Sequence, residues 1–220
     1  MDTFKGEKVM GWLVYDLEIG KEVSDTPGGW GNPYGMTLGS CVVYDYNDNK
    51  FEFFLHDTDK QRLLEYLNGN YLISFNGINF DTKVLLGNDR TYEPLSNDIG
   101  FKVSSADGKI SWKELDLFTL CLKSKFQCPT LMEATHKRSR GGMKLDDISK
   151  ATLGGKFGKS GSGADAPKLY KAGKYLDLLS YNLQDVRLTK QICEFAKQNK
   201  YLMTGKGDKL SILFEGVKSK

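Results

Sequence analysis

Gly11-Trp12-Leu13-Val14-Tyr15-Asp16-Leu17-Glu18-Ile19 is the stretch on which the fold turns. Trp12 and Val14 alternate with Leu13 and Tyr15, so both faces of an extended segment are apolar, as in a central strand covered on two sides. The pattern breaks only near its end. Asp16 and Glu18 continue the face of Trp12 and Val14, while Leu17 and Ile19 continue the other. Residues two apart on a strand point the same way, so the two carboxylates converge on one point. Ligands of open α/β sheets bind beyond the carboxyl ends of strands, which is where this pair would stand. A strand end emerging into solvent would carry Asp-x-Glu equally well.

Beyond the strand comes a Gly/Pro-rich loop, Asp25 to Gly35. Two β-rich runs follow, Ser40–Tyr46 and Phe51–His56, and the Asn-Asp-Asn-Lys between them is a hairpin signal. A helix capped by Asp57 or Thr58 and running to about Leu67, a short buried strand at Tyr71–Phe75 and a helix opening at Asp81 complete the order β-β-β-α-β-α. Gly87–Lys113 has mixed polarity and is read as an irregular excursion. Leu115–Leu120 is a fifth strand, Lys144–Leu153 a short helix and Gly154–Ala166 a flexible basic loop. A long helix is expected from about Lys174 to Gln198, with a closing β piece at Leu210–Phe214.

That long helix carries a periodic signal. Leu178, Tyr181, Asp185, Leu188, Ile192 and Phe195 form one row at spacings of three and four, with Leu176, Leu179, Leu183, Val186 and Cys193 beside it. Asp185 is therefore expected to face inward with Tyr181 one turn away. An ionised carboxylate in an apolar stripe is costly unless it meets a cation, either a metal ion or a core Lys or Arg. Asp81 follows Asn76-Gly77-Ile78-Asn79-Phe80 at a second strand-to-helix junction. An N-cap aspartate is one reading of it, and a second ligand beside Asp16 is the other.

Composition sets the frame. A chain of 220 residues, 40% hydrophobic, suits one domain with a substantial core and is short for two. No apolar run approaches the roughly 20 residues that span a bilayer, so no membrane role is expected. The polar start, Met1–Met10, carries no signal-peptide pattern, and the expected location is the cytoplasm. Cys41, Cys121, Cys128 and Cys193 lack zinc-site spacing and read as core thiols. Net charge is only +3, yet 1–118 holds 11 Lys/Arg against 19 Asp/Glu and 119–174 holds 12 against 4. An acidic part that gathers cations beside a basic part suits a polyanionic substrate, although two differently solvated faces would read the same.

Taken together, Tyr15-Asp16-Leu17-Glu18, Asn76 to Asp81 and Tyr181-Asn182-Leu183-Gln184-Asp185 resemble the three motifs of the DEDD exonuclease superfamily, the last in its tyrosine form. The set is similar to that of family-B DNA polymerase proofreading domains. Lys144–Gly154, the lysine-serine loop and Tyr181–Leu202 resemble ribonuclease-H-like exonuclease domains that stand alone or are fused to prokaryotic helicases. The resemblance implies one ribonuclease-H-like domain over 1–220, an α/β fold with a five-stranded mixed sheet flanked by helices. It implies a 3′-5′ exonuclease that uses two divalent cations, Mg²⁺ or Mn²⁺, on single-stranded nucleic acid, DNA before RNA, and releases nucleoside monophosphates. Partners would be a DNA or RNA 3′ end and replication or repair proteins such as a helicase or polymerase.

On that pattern Asp16 bridges the two ions, Glu18 and Asp185 complete the water-activating site and Asp81 serves the other ion. Tyr181 orients or deprotonates the attacking water. Asn76 and Phe80 would touch the terminal nucleotide, and Lys156 and Lys159 the phosphates. Two competing readings keep the fold: a non-catalytic nucleic-acid-binding adaptor, and a structure-selective endonuclease.

Overall fold

The computed structural model describes residues 11–138, 141–155 and 163–213. Its first strand, β1 (Trp12–Ile19), lies in the middle of the sheet as its two apolar faces require, with Leu13, Val14, Tyr15 and Leu17 buried. The hairpin β2 (Leu38–Asp45) and β3 (Lys50–Leu55) packs antiparallel on one side of it. On the other side, β4 (Tyr71–Ser74) pairs parallel with β1, and β7 (Ser111–Asp116) parallel with β4.

These five strands form the expected mixed sheet, and the excursion extends it. Within Gly87–Lys113 lie β5 (Thr91–Pro94) and β6 (Phe101–Ser104), so the sheet has seven strands in the order β3-β2-β1-β4-β7-β6-β5. Mixed polarity and weak periodicity make the segment read as irregular, and the strands escape notice because each is only four residues long. The alternation is nonetheless present: Phe101 and Val103 are buried on either side of exposed Lys102. A second difference concerns Leu115–Leu120. The strand stops at Asp116, whose carboxylate accepts from the Phe118 and Thr119 amides and so starts helix α3 (Leu117–Phe126).

Helices cover the sheet. α1 (Lys60–Leu67) and α2 (Asp81–Leu86) follow β3 and β4, and α4 (Leu131–Thr135) packs on α3. α5 (Leu145–Leu153), α6 (Ala166–Lys171) and the 25-residue α7 (Tyr175–Asn199) pack together, with α7 lying across β1 and β2. In α7 the expected row is buried at Leu178, Tyr181, Asp185, Leu188 and Ile192. Leu176 departs from the adjoining row, being 80% exposed in the first turn. The chain then forms a separate two-stranded sheet, β8 (Tyr201–Met203) with β9 (Lys209–Ser211), where one closing piece was expected. All four cysteines are buried free thiols. Among the described residues no helix is long and apolar enough to cross a membrane.

Candidate metal centre

The site begins where β1 outruns its parallel neighbour. Pairing with β4 ends at Val14–Ile73, whereas pairing with β2 continues through Asp16–Val42 and Glu18–Ser40. Asp16 and Glu18 therefore stand at the open flank of a central strand. The β1–β2 register shifts between Glu18 and Ile19, a bulge of the kind that re-aims side chains at strand ends. Gly39 makes the close approach possible, since a β-carbon there would lie 2.8 Å from the Ile19 carbonyl carbon and oxygen and 2.9 Å from the Glu18 oxygen.

Helix α7 closes the site from the sheet face. Asp16, Glu18 and Asp185 each present a carboxylate oxygen, all within 4.8 Å of one another. Glu18 and Asp185 are buried and Asp16 is partly so. Three carboxylates this close repel one another, and hard divalent cations prefer such an all-oxygen set. The donor set thus fits Mg²⁺ or Mn²⁺. Asp16 is also held by a neighbour: the Asn182 side-chain amide donates to its Oδ2 at 2.7 Å, and Ser40 Oγ donates to Asn182 Oδ1 at 3.3 Å. Tyr181 is buried on the same stretch of helix, and Gly163 lies against it, close enough that a β-carbon there would stand 3.7 Å from the hydroxyl.

Asp81 is not part of that three-carboxylate group. It is the first residue of α2, and in place of capping the helix its Oδ1 accepts from the Leu17 amide at 3.2 Å, between Asp16 and Glu18 in sequence. No strand pairs with Leu17 on the β4 side, so Asp81 takes the place a neighbouring strand would fill. Burial pushes its carboxyl up to about 8, with the charges of Glu114 and Asp116 adding to the shift and the Leu17 amide opposing it.

The turn that delivers Asp81 is anchored from below. Asn76 has φ 73°, in the left-handed region that asparagine tolerates, and its amide donates to Asp116 Oδ1 at 2.8 Å. At Gly77 a β-carbon would overlap Glu114 Oε1 and Ser74 Oγ. Arg90 donates to the Ile78 carbonyl at 2.6 Å and to Thr82 Oγ1 at 2.7 Å. Beneath lies Glu114, wholly buried, whose Oε1 accepts from Tyr15 and Ser74 hydroxyls and whose Oε2 accepts from the Trp112 indole. Burial raises its carboxyl to about 7, against those hydrogen bonds.

Sequence reading had no role for Asn182, Glu114, Asp116 or Arg90. A signal existed for two of them: Asn182 lies three residues before Asp185, on the same side of the helix, and Asp116 with Thr119 has N-cap spacing. Glu114 and Arg90 lay inside or next to the excursion and had no readable pattern. Of the expected substrate contacts, Phe80 is half-buried and packs against Trp30 at 6.0 Å between ring centroids. The Asn76 main chain is spent on the turn, its carbonyl accepting from Asn79 and Phe80. Lys156 and Lys159 lie outside the described residues.

Comparison with known proteins agrees with this architecture. Curated proteins give no match to the chain. The family model RNase_H_2, described as RNase_H superfamily, matches residues 31–196, which include Asp81, Tyr181 and Asp185 and begin after Asp16 and Glu18. With three quarters of its length matched and the mixed sheet that goes with it, the chain belongs to the ribonuclease H superfamily.

Proposed function

We propose that the protein is a metal-dependent 3′-5′ exonuclease acting on single-stranded nucleic acid, DNA before RNA, as a single ribonuclease-H-like domain over 1–220. The observation that carries the reading is the convergence of Asp16, Glu18 and Asp185 within 4.8 Å at the open end of β1, with Asp81 one backbone residue away.

In this reading Asp16, Glu18 and Asp185 would hold one divalent cation, and Asp81 would serve a second together with Asp16. Cations there would neutralise charge on the scissile phosphate and favour attack by water and departure of the leaving oxygen. Asn182, donating to Oδ2, fixes the orientation of the Asp16 carboxylate toward the site. The Tyr181 hydroxyl would orient the attacking water, its buried ring being held on α7 one turn before Asp185. Asp81, tied to the Leu17 amide, cannot swing away from β1. Phe80 contacts the terminal nucleotide, Asn76 shapes the turn that presents it, and Lys156 and Lys159 meet phosphates.

The test is a time course on 5′-labelled single-stranded DNA and its RNA counterpart with Mg²⁺, Mn²⁺ or EDTA. A ladder shortening from the 3′ end with either metal and none in EDTA supports the reading. Internal cuts indicate an endonuclease, and binding without cleavage an adaptor.

A further inference from the structure

Trp30 is 69% exposed, yet the backbone carrying it is tightly held. Gly28 and Gly29, both at positive φ, lead into a 3-10 turn at Gly29–Gly31, in which the Gly31 amide donates to the Gly28 carbonyl at 2.9 Å. Asn88, just beyond α2, donates to the Gly31 carbonyl at 3.0 Å. The next turn, Pro33–Met36, packs on α2 through buried Pro33 and Met36. Lys60 then bridges Tyr34 and α2, its ammonium 3.8 Å from the Tyr34 ring centroid and 2.7 Å from the Val84 carbonyl. The indole side chain is thus presented to solvent from a fixed platform.

Its position ties it to the candidate centre. Phe80, the residue before Asp81, supports Trp30 in a tilted ring contact, and the exposure of the indole leaves much of its surface open. The segment itself starts where β1 ends, just after Glu18. Basic side chains stand on the same support: Lys60 lies against Tyr34 and the Val84 carbonyl, and Lys83 is in α2, two residues after Asp81. An exposed aromatic beside a carboxylate centre and a group of cations matches the combination by which single strands are held, bases on π-faces and phosphates on positive charge.

We infer that Trp30, backed by Phe80, is a stacking platform for an unpaired base of the 3′-terminal segment, so that the substrate must offer single-stranded bases to be held for cleavage. This rests on the nuclease reading above. It explains why a large apolar side chain is kept in water on a rigid turn, and it predicts that a blunt duplex end, whose bases are already stacked, is a poor ligand.

The test uses the indole itself. Trp112 is 2% exposed and Trp12 is stacked on Tyr71, so Trp30 is the tryptophan most open to a ligand. Short single-stranded oligothymidylate is titrated in EDTA, reading tryptophan emission and, with a labelled strand, anisotropy. Wild type should bind with quenching. Trp30→Phe should bind with most of the quenching gone, and Trp30→Ala should raise KM about 5- to 150-fold, the factor for losing one base–aromatic stack. Thermal melts of both variants should match wild type, which separates loss of stacking from loss of fold. Binding by anisotropy without quenching, or a Trp30→Ala KM within about twofold of wild type on the scale of that same loss, overturns the platform alone. Absence of both binding and cleavage for every strand overturns the nuclease reading, and the platform with it.

Discussion

The Asn182 amide donates to Asp16 Oδ2 at 2.7 Å while accepting from Ser40 Oγ, so one buried side chain of α7 sets the carboxylate of β1 and is itself set by β2. Asn182→Ala is expected to lower cleavage and Mn²⁺ affinity together by about 10- to 100-fold, the usual scale for an outer partner of a ligand. Stability should fall by about 1–3 kcal/mol, because Asp16 and Ser40 lose a buried partner. Steady-state rates, Mn²⁺ calorimetry and denaturant melts check the three. Normal metal affinity would show that Asp16 holds its position without this bond.

Removing charge at Asp16 should have the opposite effect on stability. Asp16→Asn can still accept from Asn182 and relieves repulsion among three carboxylates within 4.8 Å. Without metal its melting temperature should equal or exceed that of wild type by a few degrees, the shift expected for about 1 kcal/mol in a chain this size. Cleavage should be lost. Saturating Mn²⁺ should stabilise wild type by about 2–3 kcal/mol at a hundredfold excess over Kd, and the variant far less. An Asp16→Asn protein that melts well below wild type would make Asp16 a structural residue.

Tyr181 and Asp185 lie one turn apart on α7 but should fail differently. Asp185→Asn takes a charge from the three-carboxylate group, so metal affinity and cleavage should fall together. Tyr181→Phe keeps the buried ring and removes the hydroxyl, so metal-induced stabilisation should survive while cleavage drops by roughly 10²- to 10⁴-fold. Near wild-type cleavage by Tyr181→Phe would reduce Tyr181 to a core aromatic.

How much of this was legible in sequence depended on whether the signal was local. Asp16 and Glu18 could be placed on one face because strand alternation needs only neighbouring residues, and Asp185 could be turned inward because helix periodicity needs only its own helix. Asp81 could be recognised by its motif, but its bond to the Leu17 amide depends on β4 ending short of β1, which no local pattern encodes. β5 and β6 are hidden for a similar reason, since such four-residue strands are stabilised by pairing, β5 with β6 and β6 with β7, more than by their own composition. The strand end at Asp116 is hard to read because Leu115, Leu117, Phe118 and Leu120 make a short, mostly apolar run, which suits a strand and a helix start equally.

Glu114 predicts a pH effect. Its carboxyl is raised from 4.5 to about 7 in the fold, so the folded state favours the protonated form. The associated stability is fully present below about pH 4.5 and is lost as pH rises through about 7. Glu114→Gln cannot ionise. Measured in EDTA, its stability relative to wild type should therefore improve by up to roughly 3 kcal/mol between acid and neutral pH. The absolute difference will also contain the cost of turning an amide N–H toward the Trp112 indole. A pH-independent difference would show that Glu114 ionises at the same pH in the folded and unfolded chain.

The most direct test of the central claim is anomalous diffraction from crystals soaked in Mn²⁺ with a nucleoside monophosphate. The account predicts two peaks roughly 4 Å apart, one bound by Asp16, Glu18 and Asp185 and the other between Asp16 and Asp81. Peaks confined to other parts of the surface, or a Lys or Arg side chain seated among the three carboxylates under saturating Mn²⁺, would contradict it.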